Sequence, residues 1–332
     1  MKIGRSFLFL TLLNVFLSSC SDNRWQIDTS SIRFELRLSN IDSLFINCES
    51  EQCNEIHNNL IESFGMGYIY EFSMNLQLPK DSISGEKIKA FYASEYVNAL
   101  EEEKAKLKID LQLNELKGAF KRMKFFFEEK DFPTDLVYMN RLFSGIQIVD
   151  SVIWVSLENY LDASLPIIKQ IPNEQLYQWQ KDRMNLNFLA RDIVQLWIQT
   201  SLFKEADEHL VYHMVQAGKV IYILHVAFPD RSLAHALRYS DEEFEWAEKN
   251  ETAFWEYLVR EEMLFKNSLR EKTNFLNEGP YTVGLPEKGP DRFGQYLGFK
   301  MVTHFMDKNK NVTLQELVRT DYNTILQSYE VD

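Results

Sequence analysis

Hydrophobic and polar positions along the chain follow two periods, one typical of helices and one typical of strands. Apolar residues recur every three or four positions in six segments, which predicts amphipathic or buried helices there. These segments are residues 52–64, 87–129, 172–200, 212–227, 241–264 and 291–306. Strand-like runs are confined to residues 32–46, 135–143 and 146–157. The pattern predicts a mostly helical α+β fold with a small β-sheet in its N-terminal half.

Turn-forming residues indicate where two of these elements end. Gly65 is expected to stop the first helix, because glycine is the usual residue just beyond a helical pattern. Ser144 and Gly145 separate the second strand-like run from the third. We therefore expect one strand on either side of this dipeptide.

Capping residues predict the starts of two further helices. Ser240 is followed three residues later by Glu243, and Thr313 is followed at the same spacing by Glu316. In this arrangement each side chain accepts a hydrogen bond from the backbone of the other residue. The first pair precedes a long helix, and the second pair precedes a short helix near the C-terminus.

The N-terminus has the three parts of a bacterial lipoprotein signal. Lys2 and Arg5 supply the positive charge, and residues 7–16 form an apolar run too short to span a bilayer comfortably. Residues 17–20, Leu-Ser-Ser-Cys, match a lipobox, in which Cys20 receives the lipid. A plain signal peptide or a short membrane anchor would account for the apolar run but not for the lipobox. Several acyl chains hold a protein at a membrane where one chain would be marginal.

This signal predicts how the chain is organised and where it works. Residues 1–19 are the signal peptide, residues 20–31 a lipidated tether, and residues 32–332 one body without internal repeats. We expect no segment after the signal to be long and apolar enough to cross a bilayer, and therefore a lipid-anchored protein of the cell envelope that faces the periplasm. The net charge of −13 repels nucleic acid.

Cys48 and Cys53 are the only thiols beyond the lipobox. In an oxidising envelope, two cysteines this close in sequence favour a disulfide. A zinc site that includes His57 is an alternative, but structural zinc takes four ligands and only three are in view. Two inert thiols are the third interpretation.

The segment of residues 279–302 is the most distinctive internal stretch. Gly294 and Gly298 are four residues apart and share one helix face, which favours close packing against another backbone over contact with a ligand. Arg292 lies in the predicted first turn of the same helix. Because a cation is unfavourable at a helix N-terminus, Arg292 requires a carboxylate partner.

A second cluster contains the carboxylate that we prefer as this partner. Glu251 lies between Trp246 and Trp255, and its aromatic neighbours could also make it a desolvated acid. We expect instead that Glu251 pairs with Arg292. Both tryptophans are expected to line a core or groove.

The common catalytic motifs are missing from the sequence. It contains no Gly-x-Ser-x-Gly, phosphate-binding loop, dinucleotide fingerprint or His-Glu-x-x-His. His209 and His213 are one helical turn apart and, with Glu208, form an alternative metal-binding set. Surface or capping roles suit these histidines better. We predict no catalytic residue, no metal and no cofactor.

Several blocks of this sequence resemble the gliding motility lipoproteins of the GldB family. They are the lipobox at Cys20, Tyr160-Leu161-Asp162, residues 218–222, Trp246 with Asn250, Glu251 and Trp255, and residues 289–294 with Gly298 and Val302. Asp162 and Asp291 stand where that family usually has glycine. The resemblance implies a role in gliding motility, with other gliding and type IX secretion proteins as partners.

The same family is distantly similar to predicted zincin-type metalloproteases, which carry His-Glu-x-x-His on their active-site helix. The matching positions here are Arg191, Asp192 and Gln195, and Ala217 stands where a further glutamate ligand is expected. Arginine cannot bind zinc, and glutamine binds it poorly. The resemblance implies a single zincin-like domain that has lost its metal.

The function expected from these residues is a non-catalytic binding or scaffold component of the gliding apparatus. A zincin-type hydrolase with unusual ligands is the first alternative. The second is a carrier of an apolar ligand, which would need a large dry cavity between the apolar helices.

Overall fold

The computed structural model describes residues 23–204, 206, 208–286 and 289–330. The predicted lipid attachment site, Cys20, lies outside the described residues. The strands are β1 (Arg37–Asn40), β2 (Asp135–Tyr138), β3 (Ile146–Val149) and β4 (Val152–Val155). The helices are α1 (Asp42–Phe45), α2 (Ser50–Leu76), α3 (Gly85–Tyr92), α4 (Glu95–Lys104), α5 (Asp110–Phe126), α6 (Pro166–Lys169), α7 (Gln178–Asp182), α8 (Leu189–Leu202), α9 (Leu210–Ala227), α10 (Leu233–Leu237), α11 (Asp241–Arg260), α12 (Leu269–Leu276), α13 (Phe293–Lys308), α14 (Leu314–Arg319) and α15 (Tyr322–Ser328).

The four strands form one mixed sheet in the order β1-β2-β4-β3. β1, β2 and β4 are parallel, while β3 lies antiparallel to β4 at the edge. The prediction of a single strand over residues 146–157 is wrong, since Asp150 and Ser151 take positive φ angles of 48° and 65°. Two such residues form the tight turn that joins β3 to β4 as a hairpin.

Helices cover both faces of the sheet, because its buried strands alternate their apolar side chains. Leu136 and Ile153 point into the larger core, which also contains apolar residues of α5, α8, α9 and α13. Val137 and Trp154 point to the opposite face, where they join a second core with residues of α2 and α3. The prediction of a mostly helical fold with a small sheet in the N-terminal half is confirmed.

The disulfide lies at the start of α2. Cys48 and Cys53 are bonded, with their Cα atoms 5.5 Å apart. His57 is engaged elsewhere, since its Nδ1 lies 2.9 Å from the hydroxyl of Tyr68. Gly65 breaks the helix with a φ of 59°, but the chain resumes a helical path as far as the end of α2. The first helical segment therefore ends at Gly65, as the sequence predicts, and the segment that follows it directly to Leu76 is not predicted.

The prediction of one long helix over residues 172–200 is wrong. The segment consists of α7, a 3-10 turn at Leu186–Phe188, and α8. The side chain of Asn185 accepts a hydrogen bond from the backbone of Asn187 and caps the short turn. Asparagine competes for backbone donors in this way, which interrupts a continuous helix.

The central helix of the larger core is α9, as the pattern over residues 212–227 predicts. Among the described helices, α9 is long and apolar enough to cross a bilayer, contrary to our expectation for the body. Most of it is nevertheless buried in the protein, packed against α5, α8 and α13. The apolar character of α9 is therefore explained by its place in the core.

Both predicted capping boxes are present. The Ser240 hydroxyl accepts from the backbone of Glu243, whose carboxylate accepts from the Ser240 backbone, at the start of α11. Thr313 and Glu316 make the same pair of hydrogen bonds at the start of α14. These local signals place two helix starts correctly.

The first described residues pack onto the body. In the stretch predicted as a tether, the Trp25 ring contacts Phe126 and Tyr222 edge-on, at centroid distances of 5.7 and 6.3 Å. The indole nitrogen of Trp25 also donates to the Tyr222 hydroxyl over 3.1 Å. The part of this stretch that the structure describes is thus docked against α5 and α9.

Glycines allow α9 and α13 to pack with their backbones in contact. A Cβ atom on Gly218 would overlap the backbone of Gly298, and a Cβ on Gly298 would overlap the carbonyl of Met214. Gly294, one turn earlier, faces the carbonyl of Phe275, 2.8 Å from where its Cβ would lie. Gly294 and Gly298 therefore serve helix packing, the alternative that the sequence favours.

We predict that Gly298→Ala lowers the free energy of unfolding by about 1–3 kcal/mol, because the added methyl group forces two helices apart. Gly118→Ala in α5 is the control, since no atom lies within 4 Å of its added Cβ. That substitution should raise stability by about 0.5–1 kcal/mol through helix propensity. Chemical denaturation of both variants measures this, and a stabilising effect of Gly298→Ala would contradict the packing argument.

Candidate functional site

A cleft of about 310 Å³ lies between the edge of the sheet and the helices α7 and α8. Gly145 and Ile146 form its wall on the side of β3, and Trp179 with Gln180 forms part of the wall on the side of α7. The floor comes from α8. The three residues at which the sequence predicts a degenerate zinc motif all line this cleft, and they are Arg191, Asp192 and Gln195.

Arg191 is held in the floor by backbone and carboxylate oxygens. Its side chain is buried, with Nε and Nη2 donating to the carbonyl of Ala236 over 3.2 and 2.6 Å. Nη1 donates to Oδ1 of Asp192 over 2.9 Å. Burial lowers the pKa of the Arg191 guanidinium to about 10, although the charge of Asp192 opposes this shift. Arg191 is therefore still a cation at neutral pH.

The carboxylate of Asp192 is surrounded by donors. Its second oxygen, Oδ2, accepts from the hydroxyl of Tyr160 over 3.1 Å and pairs with Nη1 of Arg238 at 3.1 Å. Burial, and next the charge of Asp192, raises the pKa of Tyr160 well above its usual value, so this hydroxyl remains a donor. With both oxygens engaged, Asp192 serves to hold its neighbours in place.

Arg238 connects the cleft to the end of α10. It has a φ of 58°, a left-handed conformation in which it ends the helix. Nη2 donates to the carbonyl of Arg183 over 2.9 Å, and the guanidinium lies 5.0 Å from the centre of the Phe188 ring. Its buried Nε has no hydrogen-bond partner among the described residues.

Behind the cleft, Asp291 joins two further arginines. This carboxylate is fully buried, and its Oδ2 accepts from Arg183 over 2.6 Å and from the backbone of Gly279 over 3.0 Å. Oδ1 accepts from Nε of Arg292 over 3.0 Å. Nη1 of Arg292 also lies 3.4 Å from Glu278. Burial by itself would lower the pKa of the Arg292 guanidinium. The charges of these carboxylates outweigh that effect and raise the pKa of Arg292.

The predicted pairing of Arg292 with Glu251 is wrong. Arg292 lies just before the first residue of α13, where Asp291 and Glu278 supply its carboxylate partners. Glu251 faces a later part of the same helix and pairs with Lys300 at 3.2 Å. About two helical turns of α13 separate Lys300 from Arg292, so Glu251 does not reach the arginine.

Glu251 and Trp255 belong instead to a contact between α11, α13 and the C-terminal segment. The carboxylate of Glu251 accepts from the hydroxyls of Tyr296 and Tyr329 over 3.0 and 2.8 Å. The ring of Trp255 packs edge-on against Tyr329, with the centroids 5.1 Å apart. These residues are separate from the cleft.

The alternative metal set is not assembled as a metal site. Nε2 of His209 lies 3.1 Å from the hydroxyl of Tyr322 and 3.6 Å from a Glu208 oxygen, while His213 lines a different groove. Within the part of the chain that the structure describes, no three His, Cys, Asp or Glu side chains are grouped to hold a metal ion.

The second groove lies beside the cleft, with Leu196 and Gln199 of α8 lining both. Its volume is about 920 Å³, and it contains Ala217, the position where the zincin comparison expects a ligand. Lys204 and other polar side chains line it together with apolar ones. It is open to solvent and differs from the dry, enclosed cavity that an apolar carrier would need.

Sequence reasoning missed Arg183 and Arg238 as residues of the site. Neither belongs to a motif, and each comes from a short connection that only the folded chain brings to α8. The sequence offered one usable signal, since Asp291 stands where the family resemblance leads us to expect glycine.

Comparison with protein families identifies the chain as a gliding motility protein. It belongs to the GldB family of gliding motility lipoproteins, whose profile matches residues 22–330. Comparisons with curated proteins and with solved structures give no match. The family resemblance seen in the sequence is therefore confirmed over nearly the whole chain.

We predict that Arg292→Ala lowers the free energy of unfolding by about 2–5 kcal/mol, because it removes one partner from a buried ion pair. Arg260→Ala is the matched control, since Arg260 forms an exposed pair with Glu261. Its effect should stay within about 0.5 kcal/mol. Urea denaturation distinguishes the two, and equal midpoints for wild type and Arg292→Ala would contradict the structural role of this pair.

Proposed function

We propose that this protein is a non-catalytic binding component of the gliding apparatus, which holds another component in the cleft beside α8. Membership of the GldB family supports the motility role. The observation that carries the proposal is the state of Arg191 and Asp192 at two positions of the zinc motif. Their polar atoms are bonded to each other and to neighbouring protein groups.

The chemistry of these two side chains supports a binding role over catalysis. Catalytic zinc is held by neutral imidazoles or carboxylates, with one position left open for water. Arg191 brings a positive charge to the place where such a site would hold its ion. A guanidinium surrounded by acceptors repels a metal cation, but it still attracts oxygen atoms of a bound partner.

The zincin ancestry is part of this proposal. The antiparallel pair of β3 and β4 precedes α8 in the chain, as a strand pair precedes the active-site helix in zincin-type proteases. The cleft runs between β3 and that helix. In our interpretation the protein kept the cleft of a protease and replaced its chemistry with a fixed set of hydrogen bonds.

We further propose that acyl chains on Cys20 hold the protein on a membrane of the envelope, with its body in the periplasm. The proposed partners are other gliding or type IX secretion proteins. The negative net charge of the chain argues against nucleic acid as the ligand.

We predict that Cys20→Ala releases the protein from membranes, since the thioether to the lipid cannot form. Fractionation of cells after an alkaline wash measures this, with Gln175→Glu, an exposed substitution far from the lipobox, as the control. A Cys20→Ala protein that stays in the membrane pellet would contradict anchoring through the acyl chains.

We predict that Gln195→Glu abolishes gliding while the protein keeps its abundance and melting temperature. Gln195 lines the cleft, and a carboxylate of the same size there would occupy the arginine donors that a partner needs. Gln175→Glu introduces the same charge at an exposed site outside the cleft. The assay is gliding of cells that carry each variant as their sole copy. Normal gliding with Gln195→Glu would overturn the binding role of the cleft.

A further inference from the structure

We infer that the cleft binds an acidic side chain in an extended segment of a partner protein. This inference rests on the proposed function and names the chemistry of the ligand. It is carried by two features of the cleft: two guanidiniums that share one carboxylate, and an aromatic rim beside the edge strand of the sheet.

Two guanidiniums at the cleft share a single carboxylate. Arg191 and Arg238 both pair with Asp192, whereas Arg183 is already paired with the buried Asp291. The chain as a whole carries a net charge of −13. A local excess of cations within an acidic protein attracts a carboxylate and disfavours cationic ligands.

The arginines are already oriented to receive an anion. The Ala236 carbonyl holds Arg191, while the Arg183 carbonyl and the Phe188 ring hold Arg238. Since these contacts fix the planar guanidiniums before binding, little side-chain entropy is lost when a carboxylate arrives.

The rim of the cleft also fits a peptide. The Tyr177 side chain is 58% exposed, and its ring stacks with that of Trp179 at a centroid distance of 6.5 Å. Exposed aromatic residues of this kind are typical anchors of protein interfaces. On the opposite wall, β3 is an edge strand of the sheet in the part of the chain that the structure describes. Its outer edge offers backbone hydrogen bonds to an extended segment.

The size of the cleft argues for a side chain over a larger ligand. A volume of about 310 Å³ is at the lower end of ligand pockets, which suits one or two side chains. The polar lining is unsuited to an acyl chain. An acidic residue within an extended peptide uses the arginines, the rim and the strand edge together.

The test is selection of peptides from a random library by the complete lipoprotein in detergent. The probes are heptapeptides with blocked ends, so that only side chains carry charge. We expect the bound pool to be enriched in aspartate and glutamate. Replacing the acid of a selected peptide by its amide should weaken binding about tenfold or more, as expected when a charged hydrogen bond is lost.

The same two variants serve as controls for the binding site. Gln195→Glu should lose the acidic enrichment, whereas Gln175→Glu should keep it. A pool without acidic enrichment, or enrichment that persists with Gln195→Glu, would overturn the inference. Complete displacement of the acidic peptides by 10 mM inorganic phosphate, to the same extent for every peptide sequence, would also contradict the inference. That result would indicate a simple anion site.

Failure of this inference differs from failure of the proposed function. If Gln195→Glu stops gliding but the selected peptides are not acidic, the cleft binds a partner by other chemistry. If acidic peptides bind but Gln195→Glu cells glide normally, binding at the cleft is not what motility requires.

Discussion

A guanidinium can leave water only if oxygen atoms replace the lost solvent, and this requirement shapes the region around the cleft. Arg191 and Arg292 are both almost fully buried. Their acceptors come from the end of α10, from α8 and from Asp291, two residues before α13. These parts of the chain must keep a fixed relation for the charges to remain paired. The buried arginines therefore tie these parts of the chain to one another.

The same network supports our proposal that a zincin-like arrangement serves binding. In a metal site, a bound cation organises the surrounding carboxylates and imidazoles. Here the cation is Arg191 itself, and Asp192 joins it to Tyr160 and Arg238. A guanidinium cannot activate water as zinc does, but it recognises carboxylates with a fixed geometry. A member of the GldB family can in this way use a closed polar network as a docking site.

Sequence patterns predicted local features well and distant pairings poorly. The period of α9 and the capping boxes of α11 and α14 depend on residues within one or two turns, so the sequence suffices to place them. The zinc-motif positions also line one cleft, because helical spacing sets their common face. The error at Arg292 had a different cause. Asp291 and Glu278 reach it only through the loop before α13, and no periodicity reports that path. The turn at Asp150 was missed because it lacks the glycine usual in such turns.

We propose that Arg191 occupies the place that a catalytic metal takes in zincin-type proteases and is held there by protein oxygens. The most direct test is a crystal structure of the protein grown with zinc chloride, with diffraction data collected on both sides of the zinc absorption edge. We expect Arg191 to donate to the Ala236 carbonyl and to Asp192, with no zinc signal in the cleft. A zinc ion bound there by side chains of α8, with Arg191 turned away, would contradict it.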